Sequence, residues 1–125
     1  MASSRPAALI VEDQPFIGMV ASDILQESGF CTFHAFDADD AIQLLAEHPE
    51  IEVMVAEARL HGEVDGLELC RRVAAQRPNV QLVVTAAGPD PSPTDVPSGA
   101  RLLHKPYASG ELRAMAAAKS LLADI

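Results

Sequence analysis

The chain has 125 residues, enough for one hydrophobic core and too few for two domains of ordinary size. Nine basic side chains against eighteen acidic ones leave a formal net charge of −9, which repels polyphosphate and excludes nucleic acid or an anionic membrane surface as the direct partner. With 49% hydrophobic and 22% charged residues the chain is neither disordered nor fibrous. No apolar run nears the roughly eighteen residues of a membrane span, and Met1 to Pro6 lacks the basic-then-apolar layout of a signal peptide. One cytoplasmic domain over residues 1–125, with its core at about 7–122, is expected. Cys31 and Cys70 lie far apart without zinc-ligand spacing, so both are read as buried thiols.

In chain order, Ala7 to Val11 is an apolar run that stops at Glu12-Asp13, a buried strand with two carboxylates at its C-terminal end. From Pro15, the apolar residues Ile17, Val20, Ala21, Ile24 and Leu25 recur at helical spacing, and Gly29 offers a stop. Phe30 to Phe36 reads as a second strand. Asp37 then caps a helix whose core face carries Ala41, Ile42 and Leu45, with Asp39 and Asp40 favoured near its N-terminus by the helix dipole. Ile51 to Ala56 is a third strand ending at Glu57. A loop with Gly62 and Gly66 leads into a helix bearing Leu67, Cys70, Val73 and Ala74 on one face, with Arg71 and Arg72 towards solvent and Pro78 closing it.

Val80 to Val84 is a fourth strand ending at Thr85. Pro89, Pro91, Pro93 and Pro97 then deprive the next segment of amide donors, so it is expected to be short or irregular. Arg101 to His104 forms a last strand before Lys105-Pro106, and Leu112, Met115, Ala116 and Leu122 stripe the final helix. Strands alternating with helices imply a doubly wound five-stranded parallel sheet covered on both faces.

In such sheets a ligand site lies beyond the C-terminal strand ends, where this chain places Glu12, Asp13, Glu57, Thr85 and Lys105. Converging carboxylates need a cation or a lysine to offset their repulsion, and oxygen ligands with open coordination suit Mg²⁺. Lys105 and the Thr85 hydroxyl are placed to meet an anion at Glu57. Gly62 and Gly66 make no phosphate-cradling motif. His34, His48, His61 and His104 are scattered without ligand spacing, His61 alone lying near the expected site.

The segments LIVED (Leu9 to Asp13), VMVAEARL (Val53 to Leu60), VDGLELCRR (Val64 to Arg72), VVTAAG (Val83 to Gly88) and LLHKPY (Leu102 to Tyr107), in this order, resemble the receiver domain of two-component response regulators. The resemblance covers Ala7 to Leu122 and implies a flavodoxin-like (βα)5 fold. It further implies that Glu12 and Asp13 match an acidic pair that binds Mg²⁺, that the Arg59 carbonyl is a further metal ligand, and that Thr85 and Lys105-Pro106 support the phosphoryl group. The acceptor position holds Glu57 where the family has Asp.

The extra methylene moves the carboxylate by somewhat over an ångström, and a misplacement of about 1 Å costs on the order of 10²-fold where catalysis is mostly positioning. His61 replaces a usual proline, Leu102 stands at the position of the aromatic switch paired with Thr85, and the proline-rich stretch falls where the family has its fourth helix.

The expectation is therefore a stand-alone receiver-like module, not an enzyme, that binds signalling proteins such as a histidine kinase or a downstream target independently of phosphorylation. It is expected as a monomer or weak dimer that binds Mg²⁺ weakly at Glu12, Asp13, Glu57 and Arg59. The alternatives are a conventional Mg²⁺-dependent phosphoaccepting receiver and a small Mg²⁺-dependent hydrolase or ligand-binding flavodoxin-like domain.

Overall fold

A computed structural model describes residues 5–92 and 94–117. The elements run β1 (Ala7–Val11), α1 (Pro15–Glu27), β2 (Cys31–Ala35), α2 (Ala38–Glu47), β3 (Ile51–Glu57), α3 (Gly66–Gln76), β4 (Gln81–Ala86), β5 (Arg101–His104) and α4 (Ser109–Met115). The strands form one parallel sheet in the order β2-β1-β3-β4-β5. Reversal of strand order between β1 and β3 makes the sheet doubly wound and opens its crevice at the C-terminal edge.

Alternation along the strands divides the core in two. Leu9, Val11, Met54 and Val84 face α2 and α3, where Leu45, Leu69, Cys70 and Val73 pack. Ile10, Val53, Val55 and Val83 face α1 and α4, meeting Ala21, Leu25 and Leu112. Burial on both faces explains why β1, β3 and β4 read as continuous apolar runs.

Helix starts follow local chemistry. Asp37 accepts from the Asp40 amide at 2.8 Å and Asp65 from the Glu68 amide at 2.9 Å, so α2 and α3 have side-chain N-caps. Pro15 opens α1, where its missing amide costs nothing. Gly29, at φ 102°, turns the chain into β2. Between β4 and β5 the described residues contain turns and bends but no helix, as the prolines require; Pro93 lies outside them. Four helices, where a (βα)5 count gives five, are therefore found among the described residues.

Three sequence expectations are corrected. Cys31 is exposed because it opens β2, the edge strand, whereas Cys70 is buried. Val20 and Ile42 lie at the rims of their helices' apolar stripes and stay 39% and 40% exposed. Leu122 falls outside the described residues.

Candidate functional site

Parallel register brings the strand ends to one edge. Val11 lies opposite Ala56, Glu57 opposite Thr85, and Thr85 opposite Leu103. Glu12 and Asp13 therefore leave β1 beside the end of β3, and Lys105 leaves β5 just past Thr85. Backbone hydrogen bonds extend the sheet there: Glu12 N–H donates to Ala35 (3.0 Å), Ala58 N–H to Thr85 (2.8 Å) and Lys105 N–H to Ala86 (2.8 Å). The Lys105-Pro106 peptide is cis.

Glycines set two close approaches. A Cβ on Gly66 would come within 1.7 Å of the Glu57 carbonyl oxygen, so only glycine lets α3 start against the end of β3. A Cβ on Gly18 would collide with the His34 ring, whose Nε2–H donates to the Glu12 carbonyl at 2.9 Å. Both contacts fix the backbone that carries the acids.

Glu12, Glu57 and Thr85 are the buried polar or charged residues among those described. Lys105 Nζ lies 2.5 Å from Glu12 Oε1 and also forms an ion pair with Glu57 Oε2. Glu57 Oε2 is shielded from solvent and has no further hydrogen bond among the described residues; Oε1 faces the Arg59 amide at 3.5 Å. Burial disfavours the Lys105 ammonium, but hydrogen bonds to Glu12 and Glu57 and their negative charges outweigh it and hold Lys105 above the ordinary lysine range. Asp13 is held by His61, whose Nδ1 is 2.5 Å from Oδ2. Burial pushes the Asp13 carboxyl up, while hydrogen bonding to His61 and the His61 charge help to bring it below its usual value.

A cavity of about 620 Å³ opens over this edge, bordered by Asp13, Glu57, Arg59, His61 and Lys105 on its polar side and by Phe16, Ile17, Val20, Pro106 and Tyr107 on its apolar side. Of the strand-end residues singled out in the sequence, Glu12, Glu57 and Lys105 are joined by ion pairs, Asp13, Glu57 and Lys105 border the cavity, and Thr85 lies opposite Glu57 in the sheet. Leu102 is half-buried in β5, opposite Val84. Sequence reasoning missed His34 as a backbone anchor and Tyr107 as part of the cavity wall. The signal for His34 was Gly18, a lone glycine inside an amphipathic helix, which marks a close approach.

A divalent ion fits this arrangement poorly. Glu12 and Glu57 are turned onto Lys105, Asp13 is turned onto His61, and among the described residues no three His, Cys, Asp or Glu side chains group as metal ligands. An ion would have to displace both partners before meeting three carboxylates.

An open parallel sheet, reversed between β1 and β3 and charged along its C-terminal edge, defines a flavodoxin-like α/β domain with a strand-end site. The family model for the response regulator receiver domain matches residues 8–117, and the chain belongs to that family. Receiver domains are signalling modules that interact with histidine kinases and effector domains and commonly bind Mg²⁺.

The chain is similar to the receiver domain of NtrX from Brucella abortus (25% identity, TM-score 0.76, 94% of each chain covered). It is also similar to the signal receiver domain of an HD domain-containing protein from Pseudomonas fluorescens Pf-5 (27% identity, TM-score 0.77, 90% of this chain and 91% of that one). A response regulator receiver protein from Sinorhizobium medicae WSM419 shares the fold at 20% identity and TM-score 0.83, with 94% of each chain covered. No curated protein matches significantly. No helix among the described residues is long and apolar enough to cross a membrane.

Proposed function

We propose that this chain is a cytoplasmic receiver unit that works through protein binding, with Glu57 supplying permanently the negative charge that a phosphoryl group would otherwise bring. The supporting observation is the Lys105 ammonium held between Glu57 and Glu12, both buried. A Glu carboxylate reaches the lysine that an anion on a shorter acceptor would otherwise meet, and in this poorly hydrated site the pairing is stronger than in water. The partner is a signalling protein, a histidine kinase or a downstream target, and the chain acts as a monomer or weak dimer. In this reading Thr85, Lys105 and Pro106 frame Glu57, and Leu102 takes the place of the switch residue.

Phosphorylation by acetyl phosphate, read by intact mass, tests this. Glu57→Asp withdraws the carboxylate from Lys105 and returns it to acceptor length, so a single phosphoryl adduct is expected on the variant and little on the natural chain. Labelling of the natural chain as fast as the variant would favour a conventional phosphoaccepting receiver.

A further inference from the structure

We infer that Lys105 occupies the place of a divalent cation in this chain, so that the acidic edge is neutralised by a tethered ammonium and is a latent, not a resident, Mg²⁺ site. The inference deepens the reading above, because it rests on the same Glu57–Lys105 pair. Three carboxylates converge at the ends of β1 and β3, and such a cluster persists only if positive charge offsets its repulsion. Here that charge is already present. Lys105 pairs with Glu12 and Glu57, and the three side chains are only 12%, 5% and 10% exposed, so the ammonium has exchanged water for carboxylate oxygens. The third carboxylate, Asp13, is engaged by the outward-lying His61.

Position decides the outcome. Glu57 Oε2 already pairs with the lysine, and the Glu57 backbone is pinned by the start of α3 against its carbonyl oxygen. For Mg²⁺ to enter, it must shed water, find near-octahedral oxygen ligands, and expel an ammonium that is covalently attached and hence always at high local concentration. Expulsion would also leave Lys105 partly buried without its two anionic partners. Every term favours the lysine. Removing its charge reverses the balance: Glu12, Asp13 and Glu57 would then face one another unneutralised, and a divalent ion would relieve the repulsion.

The test is an MgCl₂ titration without phosphodonor, on the natural chain and on Lys105→Met, which keeps the apolar stem and removes the charge. Backbone amide NMR shifts and thermal midpoints are read against NaCl at matched ionic strength. The natural chain is expected to show no saturable shifts at Asp13 or Glu57 and no Mg²⁺-specific rise in midpoint. Lys105→Met is expected to show both, with Mg²⁺ affinity at least about tenfold higher.

Saturable shifts of similar affinity in the natural chain would overturn the inference, as would a folded Lys105→Met that ignores Mg²⁺. Should the variant not fold, the Lys105 ammonium resonance of the natural chain decides: it should stay protected and unshifted in millimolar Mg²⁺, and its displacement would refute the assignment. Because no phosphodonor is present, Mg²⁺ binding by the natural chain would sink this inference and leave the acetyl phosphate result to judge the proposed function separately.

Discussion

Burial against the sheet pushes the Cys70 thiol up to about 12, with the positive charge of Arg71 pulling weakly the other way. Cys31, at the start of an edge strand, is open to solvent. Since the thiolate is the nucleophile, a disulfide reagent at mildly alkaline pH should titrate one cysteine per native chain, at Cys31, and the second only after unfolding. The same contrast enters stability. Above about pH 8.5 the unfolded chain loses the Cys70 proton while the folded chain keeps it, so the unfolded state binds fewer protons and stability falls as pH rises towards about 12. Cys70→Ala should show a shallower alkaline loss of unfolding free energy than the natural chain, measured by urea denaturation across that range. An equal slope would mean that Cys70 ionises alike in both states.

Arg77, just past α3, binds two other elements together. Its guanidinium donates to the carbonyls of Leu45 in α2 (2.7 Å), Pro49 in the α2–β3 loop (3.1 Å) and Ile51 at the start of β3 (3.0 Å). Arg77→Ala should destabilise the chain by about 1–3 kcal/mol, because charge-assisted bonds are lost while water reaches only part of the exposed carbonyls. Arg77→Lys should recover only a fraction, since one ammonium cannot reproduce the planar fork. Urea midpoints of the two variants check this, and equal midpoints would show that the fork is dispensable.

None of these bonds was readable in the sequence, where Arg77 is simply a polar residue before a proline. The elements were more legible. β1 and β5 have the bounds their apolar runs imply, and the prolines after Gly88 announce the connection without a helix. The gathering of the strand-end residues along one edge was legible too, because strand ends in a parallel sheet must converge. Its pairings were not: whether Asp13 meets a metal or His61, and which carboxylates Lys105 reaches, depends on loop paths and side-chain lengths that periodicity does not encode.

The excess of acid over base, −9 in all, sets the long-range electrostatics of the molecule. Exposed pairs such as Arg113 with Glu27 and Arg72 with Glu68 weaken as salt rises, but solvent-exposed pairs contribute little to stability. Self-repulsion among the surplus carboxylates is screened at the same time and should dominate. The thermal midpoint is accordingly expected to rise by a few degrees as NaCl increases from about 10 mM to about 300 mM. A fall would show that local ion pairs outweigh the net charge.

Tyr107, half-buried in the wall of the strand-end cavity two residues beyond Lys105, is the single tyrosine of a chain that has no tryptophan. Intrinsic ultraviolet emission therefore originates almost entirely from one position, beside the charged edge. Whatever enters that cavity, or draws Lys105 away from its acids, changes the surroundings of the one emitting ring. The molecule thus carries a built-in optical gauge of its own site, readable in the natural sequence without a label or an added fluorophore.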